Sequence, residues 1–378
     1  MTLLNYISVP LRTAFVAALA TASCLSSAFA SNRLEELDST NAVRLMSPGI
    51  NLGNTLEAIP KETSWGNPNP TQAFFNGVRA AGFRSIRIPV AWTQYANADG
   101  RISDAWMAHV TDVVRMAMRA HLYVVINIHW DGGWIQATYA KQDAVTRKLR
   151  RFWSQIATNF KDVGDHLLFA GTNEIGVEGV YGPPTPENAE VQNGFNQAFV
   201  ETVRASGGEN STRMLVVQGY STDIDATVKV NAKMPGDSVK NRLMVEVHYY
   251  SPYNFVLNDK SEIWQWGKTA TDPKATDTWG NEDFVDAQFT KMKSAFLDKG
   301  VPVVLGEYSA GMKARFPRMD GYRKLWDEYV TRSAAAHGLI PMFWDTGQIL
   351  DRVTGKANDP DLVVRLVLAA KSAGAKSH

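Results

Sequence analysis

The segment VPVVLGEYSA, from Val301 to Ala310, ends an aliphatic run with a single carboxylate, Glu307. The residues before Gly306 are apolar at consecutive positions, which is typical of a strand that is buried on both faces of a parallel sheet. An ionised group inside such a strand would be costly. The pattern therefore predicts that Glu307 lies at the end of the strand and not within the core.

Seven further segments have a similar strand-like composition. They are GINLG near Ile50, SIRIPV near Ile86, YVVINI near Val125, LLFAG near Phe169, MLVVQG near Val216, LMVEVHY near Val245 and IPMFW near Phe343. Amphipathic stretches with helical spacing separate them; one begins at Ser103, a residue typical of a helix N-cap. Eight βα units predict an α/β fold, a single-domain (β/α)8 TIM barrel. A doubly wound open sheet is the alternative, but the first strand lacks the Gly-rich phosphate turn typical of that fold.

The first thirty residues differ from the rest of the chain. Arg12 precedes the apolar run AFVAALATASCL, and the segment ends on the small residues of AFA at Ala28–Ala30. This order predicts a secretory signal peptide over residues 1–30 and a barrel catalytic domain over residues 31–378. An uncleaved anchor, or a lipid attached at Cys24, is the alternative. We expect a secreted, extracellular or periplasmic protein that is free of the membrane after cleavage.

The charge balance gives no reason to expect nucleic acid or an anionic membrane as a partner. The chain has 39 basic and 38 acidic residues, and removal of the signal peptide takes away Arg12 alone, which leaves 38 of each. Electrostatic attraction to either polyanion needs a basic excess. Cys24 is the single cysteine, so the fold must be stabilised by its core and not by disulfides. A monomer is the default expectation.

Three segments are long enough to be βα loops that border an open substrate cleft. They cover residues 130–140, 175–187 and 251–283. The last holds Trp264, Trp266 and Trp279 among polar residues, and we expect these rings to form a wall that faces the substrate.

Polar side chains recur at the carboxyl ends of the predicted strands, which is the face on which barrel enzymes build their sites. They are Asn127 and His129, Asn173 and Glu174, His248 and Tyr250, Glu307, and Trp344 with Asp345. Each alone would be an ordinary rim residue, but together they mark one rim. Glu174 and Glu307 can face each other across the mouth, as glycoside hydrolysis requires. Arg87, inside an apolar strand, needs a carboxylate partner for either a structural or a functional role.

Two other classes of protein fit parts of this pattern. A metal-dependent hydrolase would use His129, Asp131, His248 and a carboxylate as ligands. The sequence has no His-x-His on the first strand and no carboxylate-rich cage, so neither metal nor cofactor is expected. A non-catalytic polysaccharide-binding barrel is the second alternative, and the presence of both glutamates argues against it.

An ordered set of motifs resembles one known family. The motifs GINLGNTLEA, ETSWGNP, IRIPVAW, INIHWDGGW, LLFAGTNE, VEVHYYSPYNF, PVVLGEY and FWDTG occur in the order and spacing of glycoside hydrolase family 5 cellulases. The resemblance extends from about Gly49 to Gly347. It implies a secreted, retaining endo-β-1,4-glucanase that acts on cellulose-like or mixed-linkage β-glucan. Relatives that cleave xyloglucan, mannan or xylan on the same scaffold are the alternatives.

The resemblance also implies roles for individual residues. Glu174 would be the general acid/base, Glu307 the nucleophile, and Asn173 the partner of the sugar's 2-hydroxyl. Arg87 and Tyr250 would hold Glu307 oriented and ionised.

Histidines and tryptophans complete the set of residues that the resemblance implies. His129 and His248 would line the subsite at the cleaved bond, and Trp344 would stack beneath the sugar on the non-reducing side. Trp65 and Trp134 are candidates for outer subsites. The chain departs from many relatives at Ile175, where they have proline, and at Trp130, where they have a second histidine.

Overall fold

A computed structural model describes residues 36–230 and 234–374 of the chain. Within them, eight parallel strands form a closed barrel in chain order. The strands are β1 (Gly49–Asn51), β2 (Ser85–Ile88), β3 (Tyr123–Asn127), β4 (Leu167–Ala170), β5 (Leu215–Gln218), β6 (Leu243–His248), β7 (Val303–Glu307) and β8 (Ile340–Phe343). This confirms the predicted (β/α)8 fold. The predicted signal peptide, with Cys24, lies outside the described residues.

Helices precede β1, connect successive strands and follow β8. They are α1 (Ala42–Met46), α2 (Gln72–Ala81), α3 (Asp104–Arg119), α4 (Tyr139–Asn159), α5 (Pro186–Ala205), α6 (Ile224–Val230), α7 (Tyr253–Val256), α8 (Glu282–Ala295), α9 (Met319–Ala336) and α10 (Pro360–Gly374). Side-chain caps set several helix starts: the Ser103 hydroxyl accepts from the N–H of Trp106, and Thr185 forms a capping box with Asn188. No helix among the described residues has both the length and the hydrophobicity needed to cross a membrane.

The core lies inside the barrel and between the barrel and its helices. Every residue of β3, β4, β5 and β7 is buried, which explains the nearly continuous hydrophobic runs of these strands. Large aromatic side chains such as Trp153 and Phe169 fill the space between helices and strands. Hydrophobic burial therefore fixes the strands, and their carboxyl ends share one rim.

The loop between β6 and α8 differs from its predicted role. Trp266 is only 2% exposed and donates from Nε1 to the carbonyl of Gly280 at 2.7 Å. Trp264 is half-buried and stacks on Phe316 with 5.8 Å between ring centroids. The prediction that these two rings face the substrate is wrong, because they fasten the long loop to the core. Trp279 is exposed and borders a cavity at the rim, as predicted.

Candidate active site

Glu307 ends β7 and is held from several directions. Its carboxylate accepts a hydrogen bond from Nη1 of Arg87 at 2.8 Å and another from the Tyr250 hydroxyl at 3.1 Å. Nδ1 of His248 lies 3.6 Å from its second oxygen. The residue is only 5% exposed, so it depends on these partners for solvation.

Gly306 provides the space that this arrangement requires. A Cβ atom at this position would lie 2.1 Å from Oε1 of Glu246, which is far inside van der Waals contact. The glycine in VVLGE therefore allows a second buried carboxylate, Glu246 on β6, to lie beside the strand that carries Glu307.

Glu174 follows β4 and has a more open setting. Its side chain is 45% exposed, and Oε1 lies 2.7 Å from Nδ1 of His248. One oxygen of Glu174, one oxygen of Glu307 and a ring nitrogen of His248 all lie within 4.8 Å of one another. The two carboxylates thus face each other at the mouth of the barrel, as the sequence predicts.

The electrostatics of the site depend on two cations among three carboxylates. Burial raises the pKa of the Glu307 carboxyl, while His248 and Arg87 oppose that rise. Burial lowers the pKa of His248, but the carboxylates of Glu307, Glu174 and Glu246 outweigh it and raise this pKa to about 9. A protonated imidazole is therefore the favoured form of His248 at neutral pH.

Glu246 is the main site residue that the sequence reasoning missed. It is fully buried, forms an ion pair with Nε of Arg87 at 2.8 Å and accepts from Nε2 of Gln218 at 2.6 Å. Burial raises its pKa, but Arg87 and the neighbouring donors more than offset this and lower the pKa to about 2. The signal was present in LMVEVHY, because a charged residue inside an apolar strand requires a partner.

Asn173 lies beside Glu174 and is fixed by the same arginine. Its Oδ1 accepts from Nη2 of Arg87 at 2.7 Å, and the residue is 5% exposed. This contact orients the amide, so that its NH2 group points away from Arg87. Arg87 therefore contacts Glu307, Glu246 and Asn173 together, whereas the sequence predicted a single carboxylate partner.

His129 and Trp344 form an aromatic pair on another part of the rim. Their rings stack with 5.8 Å between centroids and an interplanar angle of 10°. Burial, together with the positive charges of Arg87 and His248, lowers the pKa of His129 well below its usual value. A neutral His129 is consistent with a ring that packs against the indole.

A buried ion pair supports the backbone at Trp344. Asp345 lies next to Trp344 and pairs with Nη1 of Arg352 at 2.8 Å, with both side chains almost completely buried. Nη2 of Arg352 donates to the carbonyl of Gly53 at 3.2 Å, which links the segments that follow β8 and β1. The backbone that carries the indole is thus tied to the segment that follows β1.

The outer tryptophans differ from one another. Trp65 is 42% exposed, which is compatible with contact to an extended ligand. Trp134 instead donates from Nε1 to Asp131 at 2.7 Å, and the Lys148 ammonium lies 4.2 Å from the centre of its ring. Trp134 is therefore not a free platform, because this cation covers a ring face. On the same loop, Trp130, which stands where many relatives have a second histidine, is 56% exposed and lines a cavity.

Two cavities meet at Glu174. One, of about 420 Å³, extends past His248 and Tyr250 to Trp279. The other, of about 520 Å³, extends past Trp130 and the segment of residues 175–181 and includes Glu307. The site is thus an elongated cleft in the rim, as predicted, and its two carboxylates lie along its length.

The ligand set of the alternative metal centre does not form. Asp131 accepts hydrogen bonds from the N–H groups of Trp92 and Thr93 and from the Trp134 indole, so its carboxylate fastens a loop. Among the described residues, the potential ligands that converge are Glu174, His248 and Glu307. Asp131 and His129 are not part of that group.

A barrel of this kind, with two opposed carboxylates and aromatic rings along a rim cleft, defines a glycoside hydrolase. The family described as cellulase (glycosyl hydrolase family 5) matches residues 51–348. The chain belongs to glycosyl hydrolase family 5 and is a glycoside hydrolase of the endoglucanase, or cellulase, type.

Individual relatives agree with this assignment. The chain is 40% identical over 349 residues to a xyloglucan-specific endo-beta-1,4-glucanase of Bacteroides ovatus, covering 86% of this chain and 69% of the relative. It is 38% identical over 324 residues to endoglucanase A of Paenibacillus barcinonensis, covering 80% and 81%. The solved structure of a Bacteroides ovatus family 5 xyloglucanase in complex with a XXXG heptasaccharide superposes with a TM-score of 0.84 at 38% identity, covering 90% of this chain and 78% of that one.

Proposed function

We propose that the chain is a secreted, retaining endo-β-1,4-glucanase that cleaves internal bonds of cellulose-like or mixed-linkage β-glucan. The observation that carries the proposal is the pair of facing carboxylates, Glu174 and Glu307, with one oxygen of each within 4.8 Å of the other. Retaining enzymes place their carboxyl groups about 5–5.5 Å apart, whereas inverting enzymes leave room for a water at about 6.5–9.5 Å.

The surroundings of each carboxylate support a distinct role. Glu307, held by the Arg87 guanidinium and the Tyr250 hydroxyl, attacks the anomeric carbon and forms a covalent glycosyl-enzyme. Glu174, which is open to the cleft, gives a proton to the departing oxygen as the glycosidic bond breaks. In the second step Glu174 takes a proton from water, which attacks the anomeric carbon and releases Glu307.

The remaining residues position the sugar. Asn173, oriented by Arg87, presents its NH2 group to the 2-hydroxyl, a contact that strengthens in the transition state. Trp344 stacks beneath the sugar on the non-reducing side, and the neutral His129 borders the same subsite. His248 borders the cleaved bond next to Glu174.

Substitution of the two glutamates tests this mechanism. Glu307→Gln removes the nucleophile and should lower kcat by about 10⁴-fold or more. Glu174→Ala removes the acid/base and should lower kcat/KM on polysaccharide by about 10²–10⁴-fold. On an activated aryl cello-oligoside, whose leaving group departs without the acid, azide should restore turnover to the Glu174 variant alone, because azide attacks the glycosyl-enzyme in place of water. Rescue of the Glu307 variant to a retained product would show that the roles are reversed.

The anomer of the first-formed product gives an independent test. Proton NMR during early hydrolysis of a cello-oligosaccharide should show the β-anomer before mutarotation. Appearance of the α-anomer first would contradict double displacement. A wild-type protein that binds β-glucan without releasing reducing sugar would instead support the non-catalytic alternative, and loss of activity on exhaustive chelation would support a metal-dependent one.

Cleavage of xyloglucan is a second candidate function. It is favoured by the Bacteroides ovatus relatives, one of which is named xyloglucan-specific and one of which was solved with a XXXG heptasaccharide. The cleft is open on both sides of Glu174, which is compatible with a branched chain. Initial rates on xyloglucan, barley β-glucan, carboxymethyl cellulose, mannan and xylan would rank the candidates. Much faster cleavage of mannan or xylan would contradict both.

Secretion and the domain boundary are part of the proposal. They rest on the sequence of residues 1–30, which predicts removal after Ala30. Intact mass and N-terminal sequencing of the exported protein should give Ser31 as the first residue. An N-terminus at Cys24 carrying a lipid would support the anchored alternative.

A further inference from the structure

Glu246 lies inside the barrel directly below the candidate active site. It precedes His248 by two positions on β6, and alternate residues of a strand point to the same side. A shift of register between Val247 and His248 in the pairing with β7 brings His248 level with Glu307. The buried carboxylate of Glu246 therefore lies one layer deeper than the two candidate catalytic glutamates.

Three side chains contact the Glu246 carboxylate. Oε1 lies 2.8 Å from Nε of Arg87 and 3.2 Å from Nε2 of His248, while Oε2 accepts from Nε2 of Gln218 at 2.6 Å. Glu246 is completely buried, so its hydrogen bonds must come from protein groups. When ionised, its carboxylate can accept hydrogen bonds but cannot donate one. Nε2 of His248 must therefore carry a hydrogen for this contact to be favourable.

These contacts connect Glu246 to both halves of the site. Arg87, its first partner, also donates to Glu307 at 2.8 Å. His248, its second partner, lies 2.7 Å from Glu174 through the other ring nitrogen, Nδ1. A carboxylate that only neutralised Arg87 would not need the contact with the imidazole.

We propose that Glu246 is a positioning residue that keeps a hydrogen on Nε2 of His248, so that Nδ1 of the same ring shares the acid/base proton with Glu174. This proposal rests on the proposed function, since it concerns how Glu174 holds and recovers its proton. With Nε2–H fixed, the contact between Nδ1 and Glu174 contains one proton, which either atom can hold.

The proton balance follows from that arrangement. In the first step the shared proton goes to the departing glycosidic oxygen as the carbon–oxygen bond breaks, and Glu174 is left as a carboxylate beside a neutral ring. In the second step water loses a proton to Glu174 as its oxygen attacks the anomeric carbon, and the shared proton is restored. In the other neutral tautomer of His248, the hydrogen is on Nδ1 and Nε2 is bare. The lone pair of Nε2 would then face the Glu246 carboxylate, which is repulsive.

The charges around His248 support retention of this proton at neutral pH. The ring is faced by Glu174 after β4, Glu246 on β6 and Glu307 on β7, with Arg87 on β2 and the Tyr250 hydroxyl beside Glu307. Together the three carboxylates raise the pKa of His248 to about 9, although burial acts in the opposite direction. Loss of one negative charge should therefore release the shared proton at a lower pH.

The test is Glu246→Gln, which keeps the shape of the side chain and removes its charge. Gln218 donates to Oε2, while Arg87 and His248 both contact Oε1, so the new NH2 group costs the contact with Gln218 in one orientation and both other contacts in the other. In the pH profile of kcat/KM on soluble β-glucan, the alkaline limb should move to lower pH by about 1–3 units. Asp237→Asn is the matched control: it removes a buried carboxylate that pairs with Arg204 at 2.8 Å, outside the strand-end rim. The control should lose stability and keep the wild-type profile.

Histidine ¹⁵N spectra of the wild-type protein provide a second measurement that does not depend on how the variant folds. The His248 signals, assigned by comparison with His248→Asn, should show a protonated Nε2 across the active pH range. A bare Nε2, or a Glu246→Gln profile that keeps the wild-type alkaline limb, would overturn the proposal. If the wild-type protein does not hydrolyse β-1,4-glucan, the proposed function fails, and the spectra still test the proton on Nε2.

Discussion

Glu174 and Glu307 are the same residue type on the same rim, yet their surroundings differ. Glu307 is 5% exposed and contacts Arg87 and Tyr250, with His248 close by. Glu174 has a side chain that is 45% exposed and contacts His248. Burial raises the pKa of Glu307 and the cations of His248 and Arg87 oppose that rise, whereas the Glu174 carboxylate is open to substrate and water. The difference in role that we propose for them therefore rests on their neighbours and not on the residue type.

Among substitutions around the two glutamates, Arg87→Lys should have the largest effect, because Arg87 is a direct partner of Glu307. Lysine keeps the charge but lacks the fork that contacts Glu246, Glu307 and Asn173 together. We expect kcat to fall by about 10²–10³-fold, and the free energy of unfolding to fall by about 1.5–3 kcal/mol for each charged hydrogen bond lost. Steady-state kinetics and urea unfolding measure the two effects.

Arg204→Lys is the control for that variant. Arg204 pairs with Asp237 at 2.8 Å outside the strand-end rim. The Arg204→Lys variant should have a lower free energy of unfolding, while its kcat stays near the wild-type value. Equal losses of kcat in both variants would show that Arg87 acts on activity only through the stability of the fold.

Gly306→Ala should have the next largest effect. The new methyl group would lie 2.1 Å from Oε1 of Glu246, so the Glu246 side chain or one of the two strands must move. Overpacking of this kind destabilises a core by about 1–3 kcal/mol, and a shift of Glu307 should lower kcat by up to about 10²-fold. Gly321→Ala is the matched control, since no atom lies within 4 Å of its added Cβ in helix α9. A Gly306 variant with kcat similar to that of the control would contradict the tight packing of β6 against β7.

His248→Asn removes the partner of Glu174 and should change how the stability of the fold depends on pH. The folded-state pKa of His248 is about 9, above its usual value of 6.5, so its protonated form stabilises the fold. That contribution is fully present below about pH 6.5 and is lost as the pH rises through about 9. The difference in unfolding free energy between wild type and variant should therefore shrink across this window. Urea unfolding at several pH values measures it, and a difference that stays constant would show that His248 is not protonated in the folded state.

Trp130→Ala should have the smallest effect. The ring is 56% exposed beside the cavity that includes both glutamates, so its loss removes a contact surface and little core packing. We expect KM for β-glucan oligosaccharides to rise about 2- to 10-fold at constant kcat, in line with about 0.5–1.5 kcal/mol for an aromatic contact. Trp134→Ala is the contrast, because its indole donates to Asp131 and packs beneath Lys148. That variant should lose more unfolding free energy than Trp130→Ala. A larger loss of unfolding free energy in Trp130→Ala would contradict the view that Trp134 packs the loop while Trp130 faces the ligand.

The sequence was sufficient where the signal was local. Consecutive apolar residues and helical spacing predicted the eight βα units, and the strand-end positions of Glu174 and Glu307 predicted that the two carboxylates would share a rim. Arg87 was predicted to need a carboxylate partner, and Glu307 is one. These inferences hold because the direction of a strand fixes which end of the barrel its last residue occupies.

The sequence was insufficient where the outcome depends on contacts between distant segments. Trp264, Trp266 and Trp279 have similar polar neighbours in the chain, but two of them pack inward and one borders the cleft. The resemblance implied an outer subsite at Trp134, whereas the exposed ring on that loop is Trp130. The direction of a loop side chain depends on the space left by other loops, and a local pattern does not encode that space.

By itself, then, the sequence determined the barrel, the rim and the two glutamates, since each follows from periodicity along a single segment. Only the tertiary structure decided how the two carboxylates differ, because their burial and their hydrogen-bond partners depend on side chains brought in from other strands. Glu246 shows this most clearly. Its position in an apolar strand signalled an ion pair, but its partners, Arg87 of β2 and Gln218 of β5, reach it only because the barrel closes around it.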